Sequence, residues 1–108
     1  MILHDIARRA EFDAAKMGKV SLASGERLYA GLNCFLPGQQ HAAHVHADQD
    51  KLYYILSGSA EAQVGGEALG VAQGDLILAP AGVEHGLRNT GAAPLVALVI
   101  FAPLPRKS

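Results

Sequence analysis

This chain has one cysteine, and a lone Cys34 cannot close an internal disulfide. That excludes a disulfide-stapled scaffold, and the residue reads as a small apolar side chain in a buried strand. Neither sign of charge dominates. Nine Lys and Arg stand against ten Asp and Glu, a net charge of −1, so there is no basic excess to engage nucleic acid. Long apolar runs are also missing. The most apolar stretch, residues 92–105, is short and broken by Pro94, Pro103 and Pro105, which excludes a bilayer-spanning helix. The opening MILHDIARRAEF carries no apolar core of a secretory signal, and a cytoplasmic location is the expectation. There is no internal repeat and no low-complexity segment. After residue 16 no useful length of helical periodicity occurs, which excludes alternating strand–helix folds.

What the chain does have is turns and short β-forming runs. Its 108 residues are half apolar and 18% charged, which predicts one soluble domain over 1–108 that buries roughly two-thirds of its unfolded surface. Strands are expected at 16–23, 27–36, 51–57, 60–64, 76–79, 85–89 and 95–102. They are punctuated by Pro37-Gly38, Ser57-Gly58, Gly65-Gly66, Gly74-Asp75, Pro80-Ala81-Gly82 and Thr90-Gly91. Such spacing predicts an all-β sandwich or barrel. Before it, Leu3, Ile6, Ala7 and Ala10 follow helical spacing, so a short N-terminal arm or helix is expected.

The stretch with chemistry in it surrounds His44-Val45-His46. On an extended strand, residues i and i+2 share a face, so the two imidazoles can aim at one point, a spacing that suits metal ligation. Two surface histidines on an edge strand would look the same, and the pair by itself does not choose. His4 and His41 read as surface residues.

Gly38, His44, His46 and Gly58 fall on the first motif of the cupin family. Gly74, Pro80, Gly82, His85 and Asn89 match every fixed position of its second. The motifs span 38–58 and 74–89, with 59–73 between them, and the chain thus resembles the small single-domain bacterial cupins. The resemblance implies an antiparallel jelly-roll β-barrel, the double-stranded β-helix, in which double sheets manage their edges. It also implies that His44, His46 and His85 hold a divalent transition metal at the barrel mouth. Zn, Fe, Mn, Ni, Co or Cu would all suit an imidazole set. A barrel that has lost its metal is the alternative.

One position departs from the pattern. The place of the family's metal-binding Glu is taken by Lys51, whose ammonium has no lone pair and repels a cation. Gln49 shares its strand parity and is the candidate neutral fourth ligand, with water as the other choice. Lys51 itself has three open readings. It pairs with Asp48 or Asp50 at the rim, meets an anionic substrate, or serves as a general acid or base with a depressed pKa. Tyr53, with the same parity, is expected to line the cavity as packing or as a catalytic group. Glu84 and Arg88 read as outward charges and Asn89 as a turn-stabilising amide.

The implied function is a metal-dependent enzyme, of oxygenase or isomerase/cyclase type, acting on a small organic molecule. A non-catalytic metal-binding or metabolite-sensing module is the competing reading. The apolar strands 27–36 and 95–101 carry hydrophobic residues on both faces, so a homodimer that covers one of them is expected.

Overall fold

The computed structural model describes residues 1–104. A 3₁₀ turn, Ile6–Arg9, precedes nine strands: β1 Gly18–Ser24, β2 Tyr29–Phe35, β3 Gln40–His44, β4 Asp50–Ser57, β5 Ser59–Val64, β6 Glu67–Ala72, β7 Leu76–Ala79, β8 His85–Arg88 and β9 Leu95–Ala102. They form two antiparallel sheets, β1-β2-β9-β4-β7 and β3-β8-β5-β6, whose non-sequential order is that of a jelly roll. Among the described residues no helix is long and apolar enough to cross a membrane.

Most strands lie where the turn signals placed them. β6 was not expected. Glu67-Ala68-Leu69-Gly70-Val71-Ala72 is poor in β-forming residues and almost wholly exposed. It is a strand because Gly65-Gly66 turns the chain back, with Gly65 at φ 62°, and pairs Val64 with Glu67 through to Ser59 with Ala72. A two-residue glycine turn is itself a hairpin signal.

Strand alternation divides the apolar residues between two clusters. Between the sheets lie Phe35, Tyr53, Ile55, Ala60, Ala62, Ile77, Leu87, Leu95, Ala97 and Val99. Each large member removed from water contributes roughly 1.5–3 kcal/mol. On the opposite face of β2 and β9, Leu32, Cys34 and Val96 pack with Val20, Leu22, Leu56 and Leu98 of the same sheet and with Ala10 of the N-terminal arm. Part of the two-sided apolar character of these strands is therefore satisfied by the chain's own N-terminal arm. Cys34 is fully buried there, and burial pushes its thiol above the usual range. The apolar residues left exposed on the five-stranded sheet are Tyr54, Leu76 and Leu78, on β4 and β7.

The interior is built in rungs. Phe35 opposes Leu95, then Asn33–Ala97–Ile55, Gly31–Val99–Tyr53, and Tyr29–Phe101–Lys51 at the last rung. The end capped by Phe35 and Leu95 is solid core, and the end carrying Lys51 opens into a cavity.

Candidate metal centre

β3 and β8 place the histidines. His44 and His85 are direct cross-strand partners, and their rings stand 4.4 Å apart. His46 follows just beyond the end of β3, its ring 4.6 Å from His44 and 5.5 Å from His85. One nitrogen from each of the three lies within 4.8 Å of the others. The second motif secures this arrangement. Gly82 turns at φ 80° and donates its N–H to the His46 carbonyl (2.9 Å), and Val83 N–H closes the turn on Pro80 (3.1 Å). Asn89 is buried and donates to the carbonyls of Phe35 and Ala93 (3.0 and 2.9 Å) while accepting from Gly91 N–H (2.9 Å), the turn-stabilising role expected of it.

The hydrogen bonds decide which nitrogens point inward with lone pairs. His44 Nδ1 lies 2.7 Å from the Ala42 carbonyl, and His85 Nδ1 lies 3.0 Å from the Val83 carbonyl. A carbonyl only accepts, so each Nδ1 carries a proton, and Nε2 is the nitrogen left to offer a lone pair. Both Nε2 atoms are buried and have no hydrogen-bond partner. Buried polar atoms are normally satisfied, and a lone pair aimed inward from a ring anchored at its other nitrogen is the arrangement of a metal ligand. The donor set fits a divalent transition ion. Burial, and then the charges of neighbouring groups, lower the pKa of His46. Burial also lowers that of His85, partly offset by its Val83 hydrogen bond.

His41 is a correction. It is half-buried beside this cluster rather than on the surface, its ring 4.2 Å from His44 and its Nδ1 3.5 Å from the Tyr53 hydroxyl. Burial, then the charge of Lys51, pushes its pKa down to about 3. The cause is a β-bulge. His41 pairs with Leu87 and His44 with His85, three residues along β3 against two along β8. One extra residue reverses the parity, so His41 and His44 face the same way. Gly86 makes room for the bulge: a Cβ there would stand 2.9 Å from both Ala43 N and the His41 carbonyl oxygen.

Of the three readings of Lys51, the rim ion pair falls. No rim pair with Asp50 forms, because Asp50 points outward and accepts from Ala81 N–H (2.8 Å). Lys51 is only 4% exposed, its Nζ 4.7 Å from the centre of the Tyr53 ring. Burial, then the charge of Lys19, lowers its pKa to about 8. Tyr53 is fully buried, and burial raises its phenol well above the usual range, so it holds its proton at neutral pH. Gln49 lines the same cavity as His46. Its amide nitrogen donates to the Pro103 carbonyl (2.8 Å), which leaves the amide oxygen as the atom with lone pairs to offer.

The cavity measures about 310 Å³ and is lined by Lys19, Tyr29, Asn33, His41, His46, Gln49, Lys51, Val99 and Phe101. A wider groove of about 640 Å³ runs along the arm from Glu11 to Lys19 but holds no imidazole. In the smaller space polar groups converge within apolar walls, the character of a small-molecule site.

Comparison with known proteins agrees with this fold. The chain is 41% identical to TT1209 of Thermus thermophilus, over 97% of this chain and all of that one, with a TM-score of 0.93. It is 33% identical to the Streptomyces coelicolor protein SCO3923, over 90% of this chain and 88% of the relative. It is 31% identical to a gentisate 1,2-dioxygenase of a Ralstonia species over 81% of this chain, which matches only 25% of that enzyme. Residues 31–101 match the Cupin domain family, and with both motifs, the two-sheet roll and the convergent histidines in place, the chain belongs to the cupins.

Proposed function

We propose that this protein is a metal-dependent enzyme that acts on a small organic molecule in the 310 Å³ cavity, with His44, His46 and His85 holding one divalent ion. The observation that carries the metal is the pair of buried Nε2 lone pairs left without a partner. Gln49 Oε1 or water completes the set. A bound ion of this kind supplies Lewis acidity toward a substrate oxygen or a site for dioxygen. The chain's own residues do the rest. The carbonyls of Ala42 and Val83 fix the ring tautomers. Tyr53 packs and steadies His41, and Lys51, with a pKa of about 8, is the group suited to deliver or accept a proton. Likeness to a gentisate 1,2-dioxygenase favours the oxygenase type over the isomerase or cyclase type. In a non-catalytic binding module the same pocket would hold its ligand unchanged.

The test is metal stoichiometry. Chelator-stripped protein titrated with zinc is expected to take up one ion per chain. His44→Ala, His46→Ala and His85→Ala are each expected to lower the affinity at least about tenfold, because a three-ligand site has no spare donor. Full loading of the His44→Ala/His85→Ala double variant would refute the assignment.

The reading includes a homodimer that covers the exposed β4–β7 face. Leu52 pairs with Leu78 and Tyr54 with Leu76 across that face, and an apolar edge strand left open invites pairing. Sedimentation equilibrium at micromolar concentration is expected to give twice 11.3 kDa, and Leu78→Lys to give the monomer. A wild-type monomer would rule the dimer out.

A further inference from the structure

The walls of the cavity away from the imidazoles have a chemistry of their own. Two lysines line it, Lys51 from β4 and Lys19 from β1, and no Asp or Glu does. Lys19 pairs across the strands with Asn33, a buried side-chain amide. Lys51 shares its rung with Phe101 and Tyr29, whose rings stack 4.6 Å apart at 24° and form a flat aromatic wall. The Tyr29 hydroxyl is held 2.8 Å from Ser21 Oγ, which fixes the ring. Buried charges are ordinarily paired, yet the adjacent Asp50 is engaged by Ala81 N–H, and the neighbouring charge that acts on Lys51 is the like charge of Lys19. An anion is the missing partner.

We propose that this cavity takes a small organic carboxylate with an aromatic or apolar body, its carboxylate between Lys51 and Lys19 and its ring against Tyr29 and Phe101. This deepens the reading of the cavity as a substrate site and rests on it, while the recognition itself needs no metal. The cation in the position of the family's acidic ligand would then serve selection, admitting a carboxylate from the substrate instead of supplying one from the protein. Salt-bridged hydrogen bonds to a desolvated carboxylate are among the stronger polar contacts. A neutral amide of the same shape would leave the ammonium unpaired.

The experiment is calorimetric titration of benzoate and benzamide into the full chain, once stripped of metal by chelator and once loaded with zinc. Metal-free wild type is expected to prefer benzoate by about tenfold or more, the effect of one charge-assisted contact. Lys51→Met, which fills the same volume without a buried charge and so keeps the fold, is expected to abolish that preference while binding zinc. Lys51→Arg is expected to retain most of it. Lys19→Met, at the exposed mouth, is expected to weaken benzoate several-fold, and it reads the same recognition should Lys51→Met fail to fold.

Equal affinity for the two probes in metal-free protein would overturn the proposal. So would a preference that appears only with zinc and survives both lysine substitutions, since the carboxylate would then sit on the metal. The two readings fail separately. Loss of zinc binding with the benzoate preference intact removes the metal site alone, and zinc binding without the preference removes only the carboxylate site.

Discussion

Lys51→Glu is expected to tighten zinc binding by about a hundredfold or more, since it removes a repelling cation and adds an anionic oxygen at the same place. The charge of Lys51 already acts on the histidines. It helps lower the pKa of His46 and of His85, after burial and the charge of His44 in both cases. A field that resists a proton on those rings resists a divalent ion beside them. Lys51 stands at the last rung of the interior, next to Phe101 and two residues from Tyr53, whose ring lies 6.3 Å from that of His85. A carboxylate there is close enough to act through space even if it does not ligate directly. Competition titration with a chromophoric chelator measures the change. Unchanged affinity would mean that the side chain at 51 is directed away from the ion. If Lys51 carries the proton in turnover, the same variant binds metal better and turns over less, a split that separates its chemical role from its electrostatic one.

Gly86→Ala is expected to lower the melting temperature by more than about 10 °C, because the new Cβ meets backbone that cannot step aside. Its contacts would be the Ala43 nitrogen and the His41 carbonyl oxygen, both at 2.9 Å. These belong to the bulge that turns His41 and His44 to one side. Relief requires β3 to draw away from β8, and His44 and His85 are partners across that very pair. Zinc affinity is therefore expected to fall together with stability, and to remain low at temperatures where the variant is still folded. Gly70→Ala is the control. It also sits in a strand, yet nothing lies within 4 Å of the added carbon, so its melting temperature is expected to stay near wild type or rise slightly. A Gly86→Ala protein that melts and binds zinc like wild type would show that the bulge does not hold the histidines.

The sequence by itself determined the class of fold, most of the strands and three of the histidines. The three histidines were legible through the resemblance of the two motifs to the cupins, and the strands through short-range chemistry: glycine at positive φ in Gly38, Gly58, Gly74 and Gly82 and apolar alternation in β4. Asn89 was legible for the same reason, since it serves its own turn. Tertiary structure decided the rest. β6 is a strand because β5 lies beside it, not because Glu67 to Ala72 prefers one. His41 faces the cluster because a bulge in β3 is accommodated by a glycine 45 positions away in the chain, His41 to Gly86. The sequence reading put it on the surface, and strand alternation contains no information about where a partner strand is one residue shorter. Lys51 is buried beside Tyr53, while the adjacent Asp50 is committed to Ala81 N–H, 31 positions along the chain. Local pattern sets which way a side chain starts out along its strand, whereas its partners, charge and exposure depend on chain segments brought together only by folding.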